Sequence, residues 1–469
     1  MLFSSLEFIF LFLPITLVAY FWAGRRGRRA PLAVLLLASL VFYAYWRLEY
    51  LALLLASLAV NYWLGERIRH AERGANRGML VAGVVANVAL LALFKYYNFF
   101  AEVLLGFGLE GLPRLGWELP LGISFFTFVQ IAYLVDCAKG KVAHSGPLEY
   151  SLFVTYFPHL IAGPIVHHSD LMPQFFQGAT RRFFSENFAR GLFLFALGLC
   201  KKTLLADNLS GTVAIVFDDA PILSLAEAWL GALGYTLQLY FDFSGYSDMA
   251  MGASVMMNIN LPQNFDSPYR AAHITEFWRR WHMTLSRWLR DYVYIPLGGN
   301  RGGLATTYRN LFLTFLVGGI WHGAGYTFLL WGAAHGLALV AHKEFQRRGG
   351  RLPLSAAIAL TFLFNIFCWV LFRARSLNDA GKVFYAMLGQ NGLRLDEFWG
   401  FPNFNKLFPF TIFMCVLGSA IVFTAPNSTA LSLRFAPRRR WAAVLALLLI
   451  AGIISANTSI SQEFLYFDF

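Results

Sequence analysis

The run MLVAGVVANVALLALFKYYNFFAEVLL, from Met79 to Leu105, contains only two charged residues, Lys95 and Glu102. It exceeds the roughly 17 to 25 apolar residues that carry a helix across about 30 Å of hydrocarbon. A water-soluble helix of this length would need a polar face, and this one has none, so it reads as a membrane span. Comparable runs lie before it at Leu6–Trp22, Leu32–Trp46 and Leu48–Leu64, and after it at Leu119–Cys137. Further on, Leu148–Val166, Phe188–Leu205 and Leu225–Phe243 qualify, Leu311–Ile320 and Tyr326–Ala341 read as a broken pair, and Leu354–Phe372, Leu407–Thr424 and Trp441–Ala456 complete the series. The expectation is an all-α integral membrane protein with about eleven or twelve crossings, plus segments that enter without crossing.

Composition agrees. Hydrophobic residues make up 58% of the 469, charged residues 14%, and the mean hydropathy is +0.54, which excludes a soluble globular enzyme or a disordered scaffold. Four cysteines stand in or beside apolar stretches without a CxxC pair, so neither a disulfide framework nor a thiolate metal site is expected. The net charge of +12 comes in short clusters between apolar runs, a pattern of membrane topology and not of nucleic-acid binding.

Those clusters orient the chain. Arg25, Arg26, Arg28 and Arg29 follow the first run, and no basic residue precedes it. Cytoplasmic loops carry the excess of Lys and Arg, so the N-terminus is expected outside and the first run is a retained span, not a signal peptide. Arg67, Arg69, Arg73 and Arg77 mark a second inner loop, and Lys139 with Lys141 a third. Arg434, Arg438, Arg439 and Arg440 precede the last span, which places the tail from Thr458 to Phe469 outside as well. No repeat or linker divides the chain, and residues 1–469 read as one polytopic membrane domain.

Its most polar insert, residues 258–309, includes ITEFWRRWHMTLSRWLRDY at Ile274–Tyr292. On a helical wheel Trp278, Trp281, Leu285, Trp288, Leu289 and Tyr292 share one face, Arg279, Arg280, Arg287 and Arg290 point away, and His282 falls on the flank. A continuous interfacial helix is expected, either a plain anchor or a helix whose guanidinium groups meet the phosphates of a large anionic substrate. The stretch VGGIWHGAGYTFLLWGAAHG, Val317–Gly336, places His322 among Gly318, Gly319, Gly323 and Gly325. An ionisable residue in an apolar run is a functional-site hypothesis, and the glycines permit a helix break and close approach of a substrate. A satisfied interhelical hydrogen bond is the plain alternative. An imidazole can take a proton from a hydroxyl and return it to a leaving thiolate.

His335 and His342 read as structural or gate-lining. His159, His167 and His168 have no HExxH pattern or carboxylate partner that would make a metal site. Asp242 and Asp248, in QLYFDFSGYSDMAMG, need partners, for which the arginines of the insert are the candidates.

Four stretches, MLFSSLEFIFLFLP, YFDFSGYSDMA, TEFWRRWHMTLSRWLRDYVYIPLGGNR and GGIWHGAGYTFLLWG, together resemble the membrane-bound O-acyltransferase family, most closely its bacterial polysaccharide branch. The resemblance covers nearly the whole chain. It implies a ring of helices around a thinned centre with a tunnel between the two faces. It implies that His322, in the motif Trp321-His322-Gly323, is the catalytic base, that His282 is the second important histidine, and that cytoplasmic acetyl-CoA is the acyl donor, met by Arg279, Arg280, Arg287, Arg290 and Trp321. No permanently bound cofactor or metal is expected. The tail EFLYFDF resembles the aromatic tyrosine motif of envelope acylation systems, in which Tyr466 would receive the acyl group and pass it to a periplasmic SGNH-type transferase; an aromatic membrane anchor is the plain alternative. The implied setting is a bacterial inner membrane. An alginate-like exopolysaccharide is the first expectation for the acceptor, peptidoglycan the second and teichoic acid the third. A transporter or a recruiting subunit without activity stands against an enzyme, although the matched broken halves of a transporter are not visible.

Overall fold

A computed structural model describes residues 1–71, 75–109, 113–142, 146–393, 408–436, 438–458 and 464–465. Among them every regular element is a helix. Four helices are long and apolar enough to cross a bilayer: Glu49–His70, Asn76–Gly106, Leu354–Arg373 and Arg439–Thr458. Pro409–Thr424 and Ser428–Arg434 form a fifth candidate, bent by 61° where Pro426 interrupts the backbone ladder. Phe8–Gly24, Arg29–Ala44 and Ile123–Ala138 are apolar but shorter. Many outward side chains are large and apolar, among them Ile15, Val18, Leu37, Leu447 and Ile454, as lipid contact requires.

The chain divides into two compact units interleaved in sequence, residues 1–196, 246–263 and 432–446 in the first and 197–245, 264–431 and 447–469 in the second. In the first, an aromatic cluster of Phe3, Phe8, Phe12, Phe42 and Phe157 explains the phenylalanine-rich opening stretch, with centroid distances between 4.8 and 6.1 Å. Its loops sort by charge. Arg28 reaches Glu149 at 3.4 Å, while Arg47 pairs with Glu118 and Tyr50 donates to the Glu118 carbonyl at 2.7 Å. The loops near residues 28 and 149 thus share one end of the helices, and those near 47 and 118 the other, as an up-and-down order requires.

The expected span Leu148–Val166 is overturned. The chain there makes two short helices, Pro147–Thr155 and Phe157–Leu160, because Pro158 has no N–H to continue the ladder. Residues 152–168 are buried without exception, so this segment belongs to the protein interior and does not face lipid.

In the second unit the helices Gly303–His322 and Tyr326–Arg347 form a hairpin around Gly323–Gly325, which is the expected broken pair. Glycines let these helices touch along their backbones. A Cβ on Gly319 would lie 2.4 Å from the Phe328 carbonyl oxygen, and one on Gly332 would lie 2.6 Å from that of Phe315. Of the glycines around His322, Gly319 therefore serves helix contact, and Gly323 and Gly325 stand in the helix break that these residues were expected to permit. A Cβ on Gly323 would meet the Phe328 ring at 2.2 Å, so a side chain there requires that ring to move.

Candidate active site

His322 is the last residue of its helix, 3% exposed, with ring centroids of Trp321, Trp331 and Phe372 at 4.8, 5.0 and 5.0 Å. Ending the helix here leaves the carbonyl groups of its last turn without intrahelical partners, beside an imidazole held between aromatic rings. Trp321 borders both candidate histidines, since the His282 ring lies 6.4 Å from it.

His282 arrives by a route that helical periodicity does not show. The expected continuous helix Ile274–Tyr292 is broken into Ile274–Arg280 and Met283–Leu289, with a π-turn at Arg290–Tyr294. His282 occupies the break in the left-handed region, φ 41° and ψ 54°, a conformation costly for a side chain with Cβ. Asn264 clamps that geometry: its carbonyl accepts from the Met283 N–H at 3.0 Å, and its side-chain oxygen accepts from the Thr284 hydroxyl at 2.7 Å. The strained turn swings His282 inward, so it is fully buried instead of flanking an apolar stripe, and its ring meets Phe243 edge-on at 4.7 Å. Trp278, Trp281, Leu285, Trp288 and Leu289 are buried too, so the aromatic face of the insert packs into protein and not into lipid.

His335 lies in the same aromatic cluster. Its Nδ1 accepts from the Trp278 indole N–H at 3.2 Å, which puts the proton of the neutral ring on Nε2. That nitrogen is buried and has no partner among the described residues. Phe364 packs edge-on against His335 at 5.2 Å and also lines a cavity of about 730 Å³. The cavity is mainly apolar, with Arg351, Gln346 and the stacked pair His273 and His342, centroids 4.3 Å apart, among its lining residues.

The four arginines are not equivalent. Arg280 pairs with Glu276 at 2.8 Å, Arg290 with Asp291 at 2.7 Å, and Arg287 approaches Asp291 at 3.9 Å, whereas exposed Arg279 has no ion pair among the described residues. Burial pushes the Glu276 carboxyl up, but the Ala272 N–H and Arg280 outweigh it and hold the group below the ordinary carboxylate range. Asp242 does not use the arginines proposed for it: Lys202 lies 2.8 Å from its Oδ1 and 2.7 Å from Asp207. The lysine wins because the π-turn Lys201–Ala206 brings it into the interior beside both carboxylates, while Arg280, Arg287 and Arg290 face carboxylates of their own segment and Arg279 is exposed. Asp248 is buried in the first unit. His159 bonds the Phe153 carbonyl at 2.9 Å and His167 caps the helix His168–Phe176. Tyr466 lies outside the described residues.

Two residues escaped the sequence reading. Lys202 is a cation inside an apolar run and on that ground alone merited attention. His273 had no such signal, because only the fold brings it to His342.

A family model described as MBOAT, the membrane-bound O-acyltransferase family, matches residues 82–375, a range that holds both histidines. The chain belongs to this family. It is a multi-pass membrane O-acyltransferase. It is 42% identical to the peptidoglycan O-acetyltransferase of Helicobacter pylori, an alignment covering 100% of this chain and 98% of that protein. It is 44% identical to the probable alginate O-acetylase AlgI of Pseudomonas aeruginosa over 85% of this chain and 76% of that one. Similarity to the teichoic acid D-alanyltransferase of Bacillus subtilis is lower, 26% over 64% of this chain and 79% of that protein.

Proposed function

We propose that this acyltransferase moves acetyl groups from cytoplasmic acetyl-CoA to an extracytoplasmic polysaccharide, with His322 as the general base. The observation that carries the reading is the buried His322 at a helix end, walled by aromatic rings, with His282 across Trp321. Such a site excludes water, which protects a thioester from hydrolysis while leaving an imidazole for proton transfer. The apolar cavity beside Phe364 suits a pantetheine arm, and Arg279 is the guanidinium best placed electrostatically for the donor phosphates, since its three neighbours already face carboxylates. Arg280, Arg287, Arg290 and Trp321 then shape the entrance.

In the relay version, His322 takes the proton of the Tyr466 hydroxyl while the phenolic oxygen attacks the thioester carbonyl. The carbon–sulfur bond breaks and the histidine returns the proton to the thiolate, leaving CoA and an acetylated Tyr466. The acetyl group then passes to a periplasmic SGNH-type partner and on to the sugar hydroxyl. Both termini face outward in a bacterial inner membrane.

An alginate-like polymer is the first acceptor, by the 44% relative, and the full-length match favours peptidoglycan as a second reading. Replacing His322 by Ala tests the mechanism: acetyl-CoA consumption by folded protein should fall at least about 10²-fold, within the range general base catalysis supplies. Base-labile acetate, measured separately on secreted polymer and on peptidoglycan from cells with and without the protein, identifies the acceptor. Loss from neither fraction would sink the polysaccharide reading.

A further inference from the structure

The buried Lys202, Asp207 and Asp242 invite a question of pairing. Lys202 reaches Asp207 at 2.7 Å and Asp242 at 2.8 Å through one oxygen of each carboxylate, which leaves open what the other oxygen of Asp242 serves. The geometry of Asp242 answers it. Its Oδ1 faces Lys202 at 2.8 Å, and its Oδ2 accepts a hydrogen bond from the Leu465 backbone N–H at 3.0 Å. The preceding Phe464 is 1% exposed, with its ring 6.0 Å from that of Phe243, and Phe243 in turn stands 4.7 Å from His282. A tail segment is thus seated in the interior of the second unit through one backbone hydrogen bond and one aromatic ring, and a single residue, Phe243, separates it from a site histidine.

We infer that Asp242, oriented by Lys202 and Asp207, is the docking point of the C-terminal tail and a positioning residue for acyl transfer. The trio lies where the helix Ser185–Cys200 opens into the π-turn Lys201–Ala206, which turns Lys202 inward, and such turns recur at functional sites. Lys202 occupies one oxygen of Asp242 and so fixes the direction of the other. The contact is made to backbone, which lets Asp242 hold the tail at a set register whatever side chain occupies position 465. Tyr466 is the next residue in the sequence. The inference rests on the reading that the tail takes part in transfer, and its test separates docking from the relay.

The test uses full-length protein in detergent, with carboxypeptidase trimming of the C-terminus followed by intact mass, and acetyl transfer to polymer measured in parallel. Leu465→Pro deletes the donor N–H and leaves the trio untouched, and Leu465→Ala keeps the N–H as its control. Trimming of Leu465→Pro should be at least about tenfold faster than that of Leu465→Ala, and Asp242→Ala should match the proline variant. Asp207→Asn, which weakens the hold on Lys202 but keeps Asp242 itself, should trim at a rate between those of the native chain and Asp242→Ala. Polymer acetylation should fall with faster trimming. Equal trimming of Leu465→Pro and Leu465→Ala overturns the inference, even if Asp242→Ala fails to fold. Tyr466→Phe should trim like the native protein. If it also acetylates normally, the relay is lost, and the difference between the two Leu465 variants still decides docking.

Discussion

Substituting Gly319 by Ala tests whether the helix hairpin sets the geometry of the site. The new Cβ would lie 2.4 Å from the Phe328 carbonyl oxygen, 2.9 Å from the Gly332 Cα and 3.0 Å from the Gly332 nitrogen. All three are backbone atoms, so no rotamer change relieves the clash. Reaching even the 3.0 Å that Cβ atoms essentially never undercut requires the two helices to part by about 0.6 Å. Trp331, on the second helix, stands 5.0 Å from the His322 ring, and His322 is one turn beyond Gly319 on the first. The displacement therefore reaches the site directly. Overpacking of this kind costs about 1 to 3 kcal/mol. A misplacement of about 1 Å can cost about 10²-fold in rate, so 0.6 Å should cost on the order of tenfold. The assay is acetyl-CoA consumption by purified protein in nanodiscs, followed through the released thiol, with thermal unfolding alongside. Gly234→Ala is the control: its Cβ would meet nothing nearer than Val213 at 3.8 Å, and alanine is the better helix former. Native turnover and an unchanged unfolding midpoint for Gly319→Ala would refute the argument that backbone contact at this pair positions His322.

Other consequences are simpler. Trp278→Phe removes the indole donor to His335 Nδ1, releases the tautomer, and should lower kcat about fivefold, the equivalent of about 1 kcal/mol for one hydrogen bond, with little change in KM. Arg279→Gln should raise KM for acetyl-CoA several-fold, and more at low salt, whereas Arg290→Gln, whose guanidinium already serves Asp291, should change it less. Glu276→Gln should lower the unfolding midpoint at neutral pH. Because the folded carboxyl titrates below its ordinary value, its stabilisation is present above the unfolded pKa and fades as pH falls through the folded one, so variant and native midpoints should converge in acid. A midpoint difference that stays constant as the pH is lowered through the acid range would contradict this.

Sequence made the four long apolar helices and the bent pair legible, out of the eleven or twelve crossings expected, because hydropathy over a window of spanning length is a bulk property that a neighbour's identity hardly alters. The same reasoning failed at Leu148–Val166, where burial inside protein and burial in lipid leave the same apolar signature and only Pro158 and Gly163-Pro164 hinted at the difference. At the site, His322 could be found because a histidine between glycines in an apolar run is locally anomalous. The inward position of His282 could not, since Ile274 to Tyr292 holds no proline or glycine and its periodicity is satisfied by one helix. The break there is imposed from outside by Asn264, eighteen residues earlier in the chain, which supplies the hydrogen bonds a continuous helix would have made internally. Asp242 shows the same limit: its acidity in an apolar helix marked it as needing a partner, but a lysine brought in by a π-turn and a backbone N–H more than two hundred residues away leave no periodic trace. Local anomalies therefore marked the candidate residues, while the strain at His282 and the buried trio at Asp242 show what the fold spends to bring them inward, and such strained and charged positions are where local sequence rules are expected to fail.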